Sequence, residues 1–557
     1  MLGAGHVRSF FGGCSDKDTV TTVAICATGD AMTEASDAPG SSNHRALLTQ
    51  LQRNLYDRNK QRIAEHEQIL TPGFEAYRNN YLAGVSDFES IASFSDLVDE
   101  IRDSEITLVG DYHTLRHSQK SFLKILRRLR RKRVVVALEF FPMSGQTSLN
   151  RWMAGLINDQ TLLRRCDIAG RWPWNIWPFF KPILELSRAR GWRVIGLDGP
   201  REKQSSLEER DRRMADVLVQ EYAGLGRNGR IVTLVGELHV ARNHLPAAIA
   251  EGLPGDHSPR VLSVFQNTES IYWRLVDRHR EQDTEVVRID EHRFCVLTAP
   301  PLVVQQSYLN WIEYDEDTLD HEDLARHFRR IASLIDRSMR LRMQGVIKHV
   351  RVHGPGELDV DDWDPASMNP EACWIHAGKR RVYLGNLNLN EVAEVATRLL
   401  HCIRLGVEEE ELQTFYSRVI HEAFAFLGSK IINSRRKGHH ESHFRKILRE
   451  VKATNEPDTL TLEIAAAVLL HKSFEQGKRT RGFPRIVEPD ARHREGVIRA
   501  LGVMLGERLY YAFIRDHITA AEIRLLFNFP AIQAEQSAAL YFSLIRQVGR
   551  ERIPQRI

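Results

Sequence analysis

Two stretches of the chain carry the same grouping of reactive side chains. One reads LVGDYH from Leu108 to His113; the other reads LVGELH from Leu234 to His239. Each is an apolar run, then a glycine, a carboxylate, one variable residue and a histidine. Glycine has no Cβ, so the backbone can turn sharply there or admit a close neighbour. The acid and the imidazole, two residues apart, can then face the same side. The first copy supplies Asp111 and His113, the second Glu237 and His239. A third carboxylate, Glu139, ends the apolar run VVVALE. A carboxylate buried there needs a partner, either a bound cation or an arginine. Imidazole with carboxylate suits zinc, iron or manganese. It also suits hydrolysis, with Glu237 or Asp111 as general base on a metal-bound water. His117 follows His113 by four residues, the spacing of one helical face. Tyr112 has two uses: a phenolate ligand to ferric haem, or a ring packed beside a strand end. Taken singly these residues are unremarkable, since Asp111 could cap a helix and Glu139 could pair with an arginine. The two matched motifs and the third carboxylate together point to a site.

Something must bring such distant residues together. Short unalternated apolar runs recur at Ile106–Val109, Val134–Phe141, Trp192–Leu197, Ile231–Val235 and Val261–Phe265. Between them lie helical patterns at Ser118–Leu129, Leu149–Ile157, Pro182–Arg190, Ser206–Tyr222 and from Leu245. Strand–helix alternation with unalternated strands is the mark of a parallel sheet covered on both faces. Ligands of such sheets bind outside the carboxyl ends of the strands, where both motifs and Glu139 fall. The expected fold is α/β, a three-layer sandwich with a mainly parallel sheet, followed by a mainly helical C-terminal region. Residues 1–45 read as a disordered N-terminal segment and 46–300 as the α/β domain with helices before it. Residues 301–405 read as a mixed connecting region and 406–557 as a helical domain.

Composition narrows the classes. With 77 Lys+Arg against 73 Asp+Glu, the net charge of +4 over 557 residues gives no case for nucleic acid. The basic run LRRLRRKR reads as a solvated helix end. Six scattered cysteines without a C-x-x-C imply neither a disulfide framework nor a cysteine zinc site, and fit a reducing, cytoplasmic compartment. No apolar run is long enough to span a bilayer. Small residues before Cys14 faintly suggest a lipoprotein signal, but His6 and Arg8 interrupt the apolar region it would need. GHHESHF (Gly438–Phe444) is one residue short of H-E-x-x-H and reads as exposed helix surface. WPWNIWPFF (Trp172–Phe180) is too proline-broken for a regular element; it reads as a packed anchor or an aromatic lid for a planar ligand. Serine-hydrolase, phosphate-loop and dinucleotide motifs are absent.

In order and spacing, these residues resemble the haem-binding uptake ChaN domain family, of the superfamily that includes the Tiki proteases, TraB and the erythromycin esterases. The resemblance covers roughly residues 85–275. It rests on VGDYHTLRHSQ, VALEFFPMSGQTSLNRWMAG, the aromatic segment through WRVIGLD, and RRMADVLVQ followed by VTLVGELHV. It implies an α/β sandwich and a haem or iron ligand, or, by way of the protease and esterase relatives, metal-dependent hydrolysis. Carried over by residue, the matches are His113, Glu139 and His239, with Asp111, His117 and Glu237 nearby. Asp111 departs from the glutamate expected there, and the chain adds about 250 residues to a family of short exported lipoproteins. Three functions stand: a haem, iron or divalent-metal binder, a metal-dependent hydrolase, and a non-catalytic scaffold. The expected partner is a small-molecule or haem ligand. The C-terminal helices leave room for a protein partner or a homodimer.

Overall fold

The computed structural model of the chain describes residues 44–66, 72–129, 133–172, 175–200, 206–225, 229–253, 259–313, 321–354, 372–450, 459–478 and 491–554. The segment expected to be disordered lies outside the described residues up to residue 43, and Cys14 with it. Of the expected mixed region, residues 314–320 and 355–371 lie outside the described residues.

Eight strands form one sheet: β1 Ser90–Ala92, β2 Ile106–Asp111, β3 Val134–Pro142, β4 Arg193–Asp198, β5 Arg230–Gly236, β6 Val261–Gln266, β7 Val286–Asp290 and β8 Arg293–Val296. Their spatial order is β1-β7-β8-β6-β2-β5-β3-β4. From β8 to β4 every pairing is parallel; β7 and β1 add an antiparallel edge. Every residue of β2 and β3 is buried, which explains why these strands read as unbroken apolar runs. Successive side chains still point to opposite faces. Val109, Val136 and Leu234 join one core with the helices Phe94–Asp103, Arg116–Arg128 and Trp177–Ala189. Leu108, Ala137 and Val235 join a second core with the helices Leu207–Leu225, Leu245–Glu251 and Glu269–Asp277. The result is helix, sheet, helix. The helix Phe94–Asp103 starts where Ser93 and Asp96 cap each other's backbone N–H groups, the reciprocal box that fixes a helix start.

Beyond β8 the chain is mainly helical, with a small sheet of β9 Arg351–His353, β10 Cys373–His376 and β11 Arg381–Leu384. A third core joins this region to the first helix, His44–His66, through Leu48, Leu51 and Leu55. Its long helices Phe415–Ile432 and Ala491–Ile514 come into close contact at Gly506, where any Cβ would collide with the Ala423 carbonyl. Buried Arg435 fastens the helical region to the sheet, donating to the carbonyls of Glu281 at 2.5 Å and Thr284 at 2.9 Å, and to that of Leu297. Three carbonyl dipoles around one guanidinium offset its desolvation.

Candidate functional site

Strand register decides which side chains meet. β5 lies between β2 and β3, with Asp111 of β2 opposite Gly236 of β5 and Leu138 of β3 opposite Leu234. Glu139 therefore stands beside the end of β5, and its Oε2 accepts the Gly236 N–H at 2.6 Å. There β3 slips register against β4, between Leu138 and Pro142; such bulges re-aim side chains at sheet rims. Gly236 is the point of convergence. A Cβ on it would lie 3.3 Å from each of Glu139 Oε2, His113 Nε2 and the His239 ring. The two imidazoles thus stand no further apart than twice that distance, on one rim. The histidine Nε2 atoms lie 4.0 Å (His113) and 3.8 Å (His239) from the Glu139 carboxylate.

Each histidine is held from behind by an aspartate. His113 Nδ1 meets Asp111 Oδ2 at 2.9 Å, and Gln119 donates to the other Asp111 oxygen at 2.5 Å. His239 Nδ1 meets Asp211 Oδ1 at 2.6 Å, while Tyr77 donates its hydroxyl to Asp211 Oδ2 at 2.7 Å. Tyr77 in turn stacks on His244, ring centres 3.5 Å apart. A carboxylate on Nδ1 fixes the tautomer that puts the Nε2 lone pair towards the opening, the arrangement that orients metal- and haem-ligating imidazoles.

The charges follow from these neighbours. Burial alone would raise Glu139, but its neighbours His239, Arg210 and His113, in that order, and the Gly236 N–H hold its carboxyl at about 2. Arg210 reaches Glu139 Oε1 directly. Burial pushes Asp111 up. Burial would lower His113, yet its hydrogen bond to Asp111, with the charges of Asp111 and Glu139, raises it. Glu237 is pushed up to about 8, first by burial and then by the charge of Glu269. A carboxyl that keeps its proton at neutral pH is placed to donate one rather than accept one.

These groups line a pocket of about 480 Å³. Asp111, Tyr112, His113, Glu139, Glu237 and His239 all border it, with Arg78 and Arg210. Its walls are aromatic. Trp172 meets the His113 ring edge-on at 4.8 Å, and Tyr308 meets Tyr112 at 6.5 Å. Phe74 and Trp311 complete them. Trp172 opens the proline-broken aromatic segment, of which 173–174 lie outside the described residues. His117 is not among the described residues that line the pocket. The helix begins at Arg116, so His113 precedes it and the four-residue spacing does not put the two on one face. Its imidazole is held down at about 4, by burial and then by Lys120, Arg116 and Lys437.

Three contributors escaped the sequence reading: Asp211, Arg210 and Tyr77. A signal for Asp211 exists. Leu207, Asp211, Met214, Ala215 and Leu218 follow helical spacing, so an acid sits on an apolar stripe, and Asp211, Met214, Ala215 and Leu218 are all buried. Tyr77 and Tyr81 are likewise the buried i, i+4 pair of the helix Pro72–Gly84.

Residues 97–210 match the sequence model of the family described as haem-binding uptake, Tiki superfamily, ChaN. That match carries the likeness read from VGDYHTLRHSQ and VALEFFPMSGQ. One similar solved structure is that of ChaN of Campylobacter jejuni with cofacially bound haem. It is 15% identical, covers 33% of this chain and 92% of that one, and has a TM-score of 0.25. No curated protein matches. Among the described residues no helix is long and apolar enough to cross a membrane.

Proposed function

We propose that this pocket binds haem, which His113 and His239 would hold through their Nε2 atoms. The paired aspartate–histidine arrangement above Gly236 carries the reading. The residues present fit the group. Two oriented imidazoles offer lone pairs to iron, aromatic walls suit a planar macrocycle, and Arg78 and Arg210 offer positive charge to its propionates. Bound haem would supply an iron centre for ligand exchange or electron transfer. The chain's own part is to hold the imidazoles in one tautomer, keep Glu139 ionised beside them, and wall off water with Trp172, Tyr308 and Trp311. His113 is the more accessible ligand, at 28% exposure against 5% for His239. The Tyr112 phenol borders the same opening as an alternative ligand. The family match over 97–210 supports the ligand class. The free cysteines Cys166, Cys295, Cys373 and Cys402 support a reducing, cytoplasmic setting.

A small divalent ion is less well served. Both Glu139 oxygens are already engaged, by Arg210 and by the Gly236 N–H, and a guanidinium repels a second cation. Among the described residues no three His, Cys, Asp or Glu groups are disposed to hold a metal.

The test is a haem titration of the purified chain followed at the Soret band. Expected is saturable binding that weakens at least tenfold in His113→Ala, with the band shifted in His239→Ala and unchanged in Tyr112→Phe. No saturable binding, or spectra indifferent to both histidine variants, overturns the proposal. Near-stoichiometric zinc or manganese without haem uptake would overturn it in favour of the hydrolase reading.

A further inference from the structure

A second concavity lies away from the sheet, between the first helix, His44–His66, and the helix His321–Met339. Its volume is about 350 Å³, within the range of small-ligand sites. Arg326, Arg330, Ser333 and Arg337 line it at helical spacings of four, three and four residues, one face of one helix. Arg329 joins them. At 1.5 Å per residue the stripe runs about 16 Å. The opposing helix contributes Arg58 from its own face, where Leu51 and Leu55 with Leu334 make an apolar floor. Five guanidinium groups thus border one groove, and no carboxylate is among the described residues that line it. Asp323, one turn back, pairs with Arg326 and partly neutralises that guanidinium, while Glu313 takes Arg62.

Guanidinium groups set along one helix face repel one another and favour an anion lying between them. Two arginines are pinned in place. Arg329 donates to the Val350 carbonyl at 2.8 and 3.2 Å, and Arg337 to the Ser333 carbonyl at 3.3 Å. The field is felt within the fold: buried His327 is held at about 3, by burial and then by Arg62 and Arg330. Guanidinium forks match phosphate oxygens two at a time. Successive clusters along the groove, at Arg326–Arg330 and at Arg337, call for more than one anionic group. The leucine floor calls for an apolar body between or beside them.

We propose that this groove binds a small molecule carrying two or more phosphate groups, with its apolar part lying on Leu51, Leu55 and Leu334. The site is independent of the haem reading and shares no lining residue with that pocket.

The experiment is isothermal titration of the full chain with sodium pyrophosphate and, separately, ADP, at low and physiological salt. Both are expected to bind, ADP the more tightly, and both to weaken as salt rises. Arg330→Gln/Arg337→Gln is expected to lose about tenfold or more in affinity for each, with an unchanged melting temperature. Lys446→Gln/Arg449→Gln removes a separate basic patch near the histidine cluster of Gly438–Phe444 and is expected to leave both affinities intact. Failure of either probe to bind at millimolar concentration overturns the proposal. So does binding that survives the Arg330/Arg337 change or disappears with the Lys446/Arg449 change. Pyrophosphate binding as tightly as ADP overturns the role of the leucine floor.

Discussion

Replacing Glu237 with glutamine should remove a loss of stability that the fold otherwise suffers as pH rises from about 4.5 to about 8. The carboxyl follows directly on β5 and is raised from 4.5 to about 8 by burial and by Glu269. A raised carboxyl binds its proton more tightly when folded. Its contribution is therefore complete below about 4.5 and is lost as pH rises through about 8. Across that gap, at 1.36 kcal/mol per unit, the loss comes to about 5 kcal/mol. Glu237 borders the pocket, and pocket water screens its charge, so this figure is an upper bound and about 2–4 kcal/mol is the working expectation. Glutamine keeps the shape and the Tyr81 contact, 3.4 Å from Oε2, but cannot ionise. Urea unfolding of both proteins at pH 5, 7 and 8.5 gives the assay. His113, also raised, contributes a slope of the same sign in both proteins, so the difference between them isolates Glu237. Parallel pH profiles, with the wild type losing no more stability than the variant, would refute the argument.

Three further outcomes follow from the same geometry. Gly236→Ala places a methyl 3.3 Å from His113, Glu139 and His239 at once; unfolding should show a loss of about 1–3 kcal/mol and haem titration a larger relative loss of affinity. Arg210→Gln strips a cation from Glu139, whose stabilisation is present above about 4.5 and lost as pH falls through about 2; acid unfolding followed by circular dichroism should begin at higher pH in the variant. Asp211→Asn removes the carboxylate behind His239 and should weaken haem binding about 10- to 100-fold, whereas the exposed change Leu156→Ala should leave the titration unaltered.

The parallel half of the sheet was legible because β2 to β6 are fully sided by helices, and burial on both faces writes itself as continuous Val, Leu and Ile. The antiparallel edge was not. β7 and β8 are only five and four residues long, and Arg288, Asp290 and Arg293 interrupt them, so Val286–Val296 carried no strand rhythm. Within the site, the residues at strand ends announced themselves by a carboxylate or histidine directly after an apolar run. Asp211, Arg210 and Tyr77 come from helices, where a polar residue among many looks like solvated surface until the stripe it occupies is counted. His117 misled for a related reason: its spacing from His113 assumes a helix that, in the fold, has not yet begun.

The first helix has a consequence for how the molecule is made. Its Leu48, Leu51 and Leu55 bury into a core completed by the far end of the chain. Gln52 donates to the Ile431 carbonyl at 2.7 Å, and His44 meets Asp516 at 2.6 Å, across separations of 379 and 472 residues. At ribosomal speeds of about 5–20 residues per second, the helix emerges on the order of 20 to 90 s before those partners exist. Through that interval the helix can rest only on earlier partners, such as Trp273 beside Tyr56 and the helix Pro301–Glu313, so its docking proceeds in two stages, first beside the sheet and then within the completed C-terminal core.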